Sequence, residues 1–278
     1  FPDFATIRRM DWFPSVHMSW SMNDDHQIMF NSSRRIQRPR SWYFEPFITW
    51  ESEFNVRTGN PDLTPEYIYV FELSWIRSFG NKGFISTEGY YRLNNGLIDR
   101  ISTAYIDNIV MTRPFNIGQS NSAGVEVSYQ YRFTDWYELN ASGNFFYYGV
   151  NGDLDNENFD NSSLNGTVRI TNTFNYKNWN FQLLGRYESP TATLQGTQEG
   201  FFVLDASIRT EFSDRRFAFT LAGRNLLGTQ INQSFIETRT LTMERTNIPR
   251  WPMVTLTFSM KLNNYKKIML KHEHADDF

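Results

Sequence analysis

The stretch GNPDLTPEYIYVFELSWIRSFGNKGFISTEGYYRLN, residues 59–94, combines the signals that decide the fold. It opens with glycine and proline, and it continues with two runs in which apolar or aromatic residues alternate with polar ones, separated by the short segment GNKG. Side chains two residues apart share a face of a β-strand, so the alternation predicts strands at 66–78 and 83–94. Both exceed the roughly five or six residues of ordinary strands and reach the roughly 9–11 that cross a bilayer on a tilt.

The same alternation recurs along the 278-residue chain and predicts eleven strands, joined alternately by short turns and long loops. A meander with tight turns at one end and long loops at the other is typical of an outer-membrane barrel, with periplasmic turns and extracellular loops. We therefore predict an all-β fold, an antiparallel up-and-down transmembrane β-barrel. Segment 110–134 is predicted to be one long bent strand, or a strand with a bulge near NIGQS. The predicted strands lie near 13–23, 26–36, 66–78, 83–94, 110–134, 136–148, 163–176, 179–189, 201–212, 216–226 and 252–263, and the long loops are 37–65, 95–109, 149–162, 189–200 and 227–251.

Charge separates between the two faces of these strands. On the apolar face only Arg34 and Arg77 are charged, and each lies near a strand end. A Lys or Arg that faces lipid at the bilayer midplane costs about 2–4 kcal/mol, so this distribution suits a membrane-spanning wall. The alternative is a soluble β-sandwich with the apolar face as its core. The charged residues of the other face are Arg35, Glu72, Glu88, Arg92, Glu126, Arg132, Glu138, Arg169, Arg186, Glu188, Asp205, Arg209, Glu211, Arg216, Arg224 and Lys261.

Composition excludes several other classes. The sequence has no cysteine, which removes disulfides, zinc–thiolate sites and thiol catalysis. No uninterrupted apolar run approaches the roughly 18 residues of a transmembrane helix, and the net charge of −3 gives no basic footprint for nucleic acid. Aromatic residues make up 17% of the chain and crowd next to the short turns, which predicts a periplasmic girdle. Its predicted members are Phe79, Phe84, Phe133, Trp136, Tyr137, Tyr176, Trp179, Phe212 and Phe217.

The ends of the sequence indicate a piece of a longer protein. It begins with Phe1, and its predicted strand count is odd, whereas single-chain bacterial barrels nearly always have an even count. We expect residues 1–12 to be the tail of an extracellular loop, preceded by an odd number of further strands. The expected organisation is a partial barrel domain over 1–263 and a periplasmic tail over 264–278.

Several motifs resemble, in order and spacing, those of TonB-dependent outer-membrane receptors. GNPDLTPE at 59–66 resembles the signature ahead of a mid-barrel strand, and FNIGQSNSAGVEVSYQYRF at 115–133 resembles a strand with a Gly-Val-Glu step. LAGRNLLGT at 221–229 and VTLTFSMKL at 254–262 resemble the last two strands of the family. SRRIQRPRSWYFEPF at 33–47 further resembles the branch common in Bacteroidetes. The matching positions, to which the resemblance assigns a structural role, are Asn60, Pro61, Asp62, Leu63, Pro65, Glu66, Gly124, Val125, Glu126, Asn225 and Leu226.

The resemblance implies a plugged barrel of about 22 strands, of which these would be the C-terminal ones, with a plug and a TonB box that this sequence does not contain. It implies uptake of a scarce ligand, such as a siderophore, oligosaccharide or peptide, across a Gram-negative outer membrane with TonB-coupled energy. The implied partners are the TonB complex through the plug, outer-membrane lipid and lipopolysaccharide, the ligand, and a surface lipoprotein, but no nucleic acid. Two alternatives stay open: a non-transporting structural or assembly partner with the same barrel, and a soluble carbohydrate-binding β-sandwich. The sequence departs from the family where it continues through NNYKKIMLKHEHADDF.

Long-loop residues are the candidates for ligand binding, because the family holds its ligand between the plug and the extracellular loops. Loop 37–65 offers rings that can stack on a ligand and guanidinium groups that can pair with an anion. The alternative is an aromatic cluster that folds the loop upon itself. Charges in loop 227–251, namely Arg239, Glu244 and Arg245, are predicted to be solvated. The candidates in loop 37–65 are Arg38, Arg40, Trp42, Tyr43, Phe44, Trp50 and Arg57.

Two polar segments carry metal-ligand chemistry, but neither predicts a metal site. GDLDNENFDN at 152–161 is spaced somewhat like a calcium loop, yet it lacks the glycine of an EF-hand, so solvated charge is the preferred interpretation. KHEHADD at 271–277 is interpreted as a polar tail without a scaffold. We predict no cofactor and no enzymatic activity, because His17 and His26 have no evident catalytic partner. The acidic residues of the first segment are Asp153, Asp155, Glu157 and Asp160.

Overall fold

The computed structural model describes residues 10–106, 108–154, 157–213, 216–239 and 241–261. Short 3-10 turns lie at Ser41–Phe44 and Gly80–Lys82, and no described helix is long and apolar enough to span a bilayer. The predicted tail at 264–278 lies outside the described residues. The strands are β1 Ser15–Ser21, β2 His26–Gln37, β3 Thr49–Ser52, β4 Asn55–Arg57, β5 Glu66–Ser78, β6 Gly83–Asn95, β7 Ile98–Ala104, β8 Val110–Asn116, β9 Gln119–Thr134, β10 Tyr137–Leu154, β11 Glu157–Tyr176, β12 Trp179–Glu188, β13 Thr191–Thr193, β14 Gly196–Gln198, β15 Phe201–Phe212, β16 Phe217–Arg224, β17 Asn232–Glu237, β18 Thr242–Asn247 and β19 Met253–Met260.

Eleven of these strands form one antiparallel sheet, which we call the wall. Its order is β1-β2-β5-β6-β9-β10-β11-β12-β15-β16-β19, so wall strands that follow one another in sequence are neighbours in the sheet. The predicted number of membrane strands and their up-and-down order are confirmed. The strands β1 and β19 form the two edges of the wall.

The prediction of a single strand at 110–134 is wrong. The chain breaks at Ile117 and Gly118 into β8 and β9, which belong to different sheets. Gly118 has φ of 78°, a conformation that favours glycine, and an added Cβ would lie 2.4 Å from the Asn151 carbonyl oxygen. Alternation continues on both sides of this turn, so the period of the sequence did not reveal the break.

The prediction of a long loop at 149–162 is also wrong. The strands β10 and β11 stay paired as far as Leu154 and Glu157, which makes the tallest hairpin of the wall. The next strand, β12, pairs with β11 only from Glu188, opposite Thr167, downwards. The upper part of the hairpin therefore rises beyond β12 on the long-loop side.

Eight short strands form what we call the cap: seven lie in the other long loops, and the eighth is β8. These strands form two four-stranded sheets, β3-β4-β8-β7 and β13-β14-β17-β18, named here the first and second cap sheets. Within the first cap sheet β4 runs parallel to β8, although all other pairs are antiparallel. The predicted loops are thus largely ordered into sheets of their own.

The two faces of the wall differ in chemistry as predicted. On the apolar face Leu73 is 58% exposed and Leu256 is 70% exposed. On the polar face the Glu72 carboxylate accepts a hydrogen bond from Asn31 Nδ2 at 2.9 Å and lies 3.4 Å from the Arg92 guanidinium. A surface this apolar on one side suits lipid, and the polar side suits an aqueous or protein-filled lumen.

The two charged residues of the apolar face lie near strand ends, where a lipid-facing charge costs least. Arg34 stacks over the Tyr67 ring at 4.5 Å, and its Nη1 donates to the Trp12 carbonyl at 2.7 Å. At the opposite, short-turn end, Arg77 lies 5.2 Å from the centroid of the Phe79 ring.

Aromatic rings gather at the short-turn end, in agreement with the predicted girdle. Phe133 stacks on Tyr137 with ring centroids 5.4 Å apart, and further ring pairs follow along this end of the wall. Phe84 is an exception. Its neighbour Ile85 pairs with Arg77 on the apolar face, so alternation places Phe84 on the polar face and outside the girdle.

Candidate functional site

A small apolar core joins the cap to the tall hairpin of the wall. Ile101 of β7 and Ile117, which follows β8, pack with Val150 of β10, Phe159 of β11 and Leu194 of the β13–β14 turn. Each of the five is at most 7% exposed. The core therefore fixes both cap sheets relative to the hairpin, as a soluble domain fixes its sheets.

The GNPDLTPE motif connects the first long loop to β8. The Asn60 Nδ2 donates to the Pro114 carbonyl of β8 at 3.1 Å, and its Oδ1 accepts the Asp62 N–H at 3.1 Å. Leu63 is 2% exposed, whereas Pro61 and Asp62 face solvent. The side chain of Asn60 thus turns the chain and ties it to β8 at the same time.

The loop approaches itself closely at Gly59. Its N–H donates to the Glu45 carbonyl at 2.7 Å, and an added Cβ would lie 2.6 Å from backbone atoms of Glu45 and Tyr43. Only a residue without a side chain fits here without a shift of the backbone.

The end of the motif connects the first long loop to the start of β5. The Glu66 carboxylate, 4% exposed, accepts hydrogen bonds from Asn94 Nδ2 at 2.7 Å and from the Ile98 N–H at 2.9 Å. The Asn116 side chain accepts the Thr64 N–H at 2.8 Å and donates to the Thr64 carbonyl at 2.9 Å. These bonds lie on both sides of Pro65, directly before β5 begins.

A single amide links the two cap sheets. The Gln195 Oε1 accepts the Ser102 N–H at 2.8 Å, and its Nε2 donates to the Ser102 carbonyl at 3.1 Å. Both residues are 7% exposed, so the side chain replaces the partner strand that the edge of β7 lacks. The contact sets the second cap sheet beside the first.

A polar cleft of about 170 Å³ opens between the two cap sheets. One side of the cleft comes from the first long loop and from β7 and β8, and the other side comes from β17 and β18. The strand register explains the second side, because Ser234 pairs with Arg245 and Ile236 pairs with Met243 on the same face. The lining residues are Trp42, Glu51, Asn55, Arg57, Asp99, Arg100, Ser102, Thr112, Pro114, Ser234, Ile236, Met243 and Arg245.

The charges of the cleft are unevenly partnered. Arg57 lies 3.6 Å from the Glu51 carboxylate and stacks over the Trp42 ring at 4.7 Å. The side chains of Arg100 and Arg245 make no hydrogen bond or ion pair with the described residues. Burial raises the pKa of the Asp99 carboxyl, against the weaker opposing effects of its bond with the Arg100 N–H at 2.7 Å and of the Arg100 charge. Within the described part of the chain, both guanidinium groups thus keep their hydrogen-bond donors available to a ligand.

The structure brings only part of the predicted binding loop to this cleft. Trp42 and Arg57 line it, and Tyr43 packs edge-on against Trp42 with centroids 4.3 Å apart. Arg38, Arg40 and Trp50 are exposed, and with Tyr43 and the half-buried Phe44 they lie outside the lining. Contacts within the loop match the alternative of an aromatic cluster as well as they match ligand binding.

Most of the lining was missed from the sequence. Arg245 was interpreted as a solvated charge, and Asp99, Arg100 and Ser102 were not singled out at all. The available signal was short-range alternation in loop 227–251, where QSFIE and TMERTN flank a turn. That signal predicts a hairpin, but it does not tell which other loop the hairpin faces.

The Gly-Val-Glu step of β9 lies within the wall. An added Cβ on Gly124 would lie 2.4 Å from the Phe146 Cβ, so the glycine permits close approach of a neighbouring side chain. Val125 is 45% exposed on the apolar face, and Glu126 lies on the polar face opposite Asn144.

Asn225 and Leu226 close the top of β16. Asn225 has φ of 48° and is 4% exposed, and its N–H donates to the Asp205 carboxylate at 2.7 Å. The Leu226 N–H donates to the Leu204 carbonyl at 2.9 Å. Asparagine tolerates the left-handed conformation better than most residues, which suits this position.

The acidic segment at 152–161 forms the upper part of the β10–β11 hairpin. Asp153 and Asp160 are exposed there, while Asp155 and the side chain of Glu157 lie outside the described part of the chain. Among the described residues no group of three or more His, Asp or Glu could hold a metal ion. The KHEHADD segment also falls outside the described ranges.

The fold is that of outer-membrane receptors. The siderophore receptor PirA from Pseudomonas aeruginosa is 11% identical with a TM-score of 0.58, and the match covers 78% of this chain and 39% of that one. The copper transporter OprC (14% identical, TM-score 0.58) is covered for 38% of its length by 87% of this chain. The FrpB iron transporter from Neisseria meningitidis (12%, TM-score 0.55) is covered for 37% of its length by 83% of this chain. At such identities the likeness shows the fold, and this chain spans about two fifths of these proteins.

No curated protein matches the sequence. The family described as "Outer membrane protein beta-barrel family" matches residues 4–260, which include every strand of the wall and the cap. The chain belongs to this outer-membrane β-barrel family.

Proposed function

We propose that the chain is part of an outer-membrane receptor that takes up a scarce ligand with TonB-coupled energy, and that the cap cleft captures this ligand first. The observation that carries the proposal is the cleft itself, a polar recess among the cap strands with two guanidinium groups that form no hydrogen bond or ion pair with the described residues. Solved structures with the same fold are named as siderophore, copper and iron receptors or transporters, which supports a receptor role at this coarse level.

The polar face of the wall supports the same proposal. Half of its sixteen charged residues form ion pairs among the described residues, for example Arg209 with Glu211 at 2.8 Å and Arg186 with Glu188 at 3.3 Å. A wall that offers hydrogen-bonding groups on its inner side can hold a polar plug or a polar passage. The proposal includes three partners: the TonB complex, lipopolysaccharide and a surface lipoprotein. It also includes a Bacteroidetes source, which the segment at 33–47 supports.

The test is a deletion strain of the full-length gene, grown on single ferric siderophores or single oligosaccharides as the sole iron or carbon source. We expect loss of growth on one nutrient, restored by the wild-type gene, and the same loss in a strain that lacks TonB. Unchanged growth on every nutrient, together with sensitivity to detergent and bile salts, would instead support a structural or assembly role for the barrel.

A further inference from the structure

Two arginines face the cleft from opposite cap sheets. Arg100 belongs to β7 of the first cap sheet, and Arg245 belongs to β18 of the second. Both are exposed, and neither side chain makes an ion pair or hydrogen bond within the described ranges. Arg57 differs, because Glu51 and Trp42 already engage it.

The charge of the lining favours an anion. Three arginines face two carboxyl groups, which leaves a net charge of 3 − 2 = +1 when both carboxyls are ionised. Glu51 is paired with Arg57, so the open part of the cleft contains Arg100, Arg245 and Asp99. Guanidinium groups bind carboxylates through two parallel hydrogen bonds, and a group held between two of them would be bound from both sides.

The size of the cleft limits the ligand to one end group. Sites that enclose a complete small ligand have volumes of roughly 300–1,000 Å³, whereas this cleft has about 170 Å³. A single substituted ring fits such a space, and the remainder of a longer ligand would extend out of the cleft.

The remaining lining favours hydroxyl groups over flat apolar rings. The Ser102 and Thr112 hydroxyls lie 3.2 Å apart on one side of the cleft, and Asn55 and Ser234 add further polar groups. The single aromatic residue of the lining, Trp42, already has Arg57 over one face of its ring, so the lining offers an aromatic ligand at most one open ring face for stacking.

We propose that the cap cleft binds the terminal acidic sugar of an oligosaccharide, with its carboxylate clamped between Arg100 and Arg245 and its hydroxyls on the Ser102–Thr112 side. This inference rests on the proposed receptor function and names the ligand class of its site. The proposed site needs both cap sheets, because each sheet contributes one of the two guanidinium groups.

The test uses purified full-length protein in detergent and titration calorimetry with three probes: a trimer of galacturonic acid, the neutral trimer of galactose, and ferric citrate. We expect the acidic trimer to bind at least tenfold more tightly than the neutral one. Arg100→Gln and Arg245→Gln should each weaken the acidic trimer at least tenfold and leave the neutral trimer unchanged. Arg245→Lys should retain part of the affinity.

The matched controls are Arg216→Gln and Arg250→Gln, which each remove an exposed arginine outside the cleft and should leave binding unchanged. Equal binding of both trimers, no binding of either, or equal losses in the control variants would overturn the proposal. Arginine-dependent binding of ferric citrate without binding of the acidic trimer would overturn the sugar assignment. Calorimetry needs no energised membrane, so sugar binding without a growth phenotype would reject the proposed uptake and retain the binding site.

Discussion

The wall and the cap are made of the same kind of strand but are stabilised differently. In the wall, Leu256 is 70% exposed and the apolar side chains turn outward, so lipid has to cover them. In the cap, Ile117 is fully buried among side chains of the protein. Backbone pairing and lipid therefore stabilise the wall, as in a membrane protein. A packed apolar core stabilises the cap, as in a soluble domain.

The largest effect should come from a cavity in the cap core. Ile117→Ala should destabilise the cap by about 2–5 kcal/mol, because the side chain is fully buried, while Leu256→Ala, at the lipid surface, should leave it unchanged. Hydrogen exchange of cap amides in the detergent-solubilised protein would measure both. Similar protection of the cap in the two variants would contradict the contrast between the regions.

A charged side chain should instead destabilise the wall more than the cap. Leu73→Arg, in the middle of β5 on the apolar face, should cost about 2–4 kcal/mol of stability in a bilayer. Ile48→Arg, at an exposed position in the first long loop, should change stability by no more than about 0.5 kcal/mol. Urea unfolding in lipid vesicles, followed by heat-modifiable migration, would give both values, and equal costs would show that the Leu73 face does not meet lipid.

An added methyl group should produce a smaller difference in stability between the two regions. Gly59→Ala should cost about 1–3 kcal/mol, because the new Cβ meets backbone atoms that cannot move aside freely. Gly89→Ala is the matched control in the wall, where nothing lies within 4 Å of the added Cβ, and it should be neutral or slightly stabilising. Limited proteolysis of the first long loop would report the difference.

The smallest effect concerns pH in the cap. Burial raises the pKa of Asp99 above its ordinary value of 3.8, so the folded cap keeps a proton that the unfolded chain releases. Cap stability should therefore fall as pH rises from 3.8 through the raised pKa. Asp99→Asn retains the oxygen that accepts the Arg100 N–H and should remove this part of the pH dependence in hydrogen exchange. An unchanged profile in the variant would assign the dependence to another group.

The sequence predicted the wall well because lipid imposes a strict pattern on it. Alternation marks each wall strand over at least part of its length, and the two charged residues on the apolar face, Arg34 and Arg77, lie near strand ends. Alternation failed at Gly118, where a backbone turn changed the sheet without changing the pattern. It also failed at Phe84, because aromatic character does not reveal which face a residue takes beside a turn.

The cap was not predictable in the same way. Its strands are three to seven residues long, and the pairings of β4 with β8 and of β14 with β17 join distant parts of the chain, so a local pattern does not show how the cap sheets assemble. The cleft depends on the pairing of β17 with β18 and on the amide of Gln195, which contacts a residue 93 positions away. Residues of the first long loop could be proposed from composition, but Arg100 and Arg245 become a pair only once both sheets are in place.

The parallel pairing of β4 with β8 has a consequence for assembly. The strands β5 and β6, which cross the wall and return, separate the two in sequence. Asn55 can meet Val110 only after that hairpin has its final register, because a slip of two residues between β5 and β6 would move one partner by roughly 7 Å. A complete first cap sheet therefore requires the correct register of β5 and β6, so an error of alignment within the wall would also leave the cap incomplete.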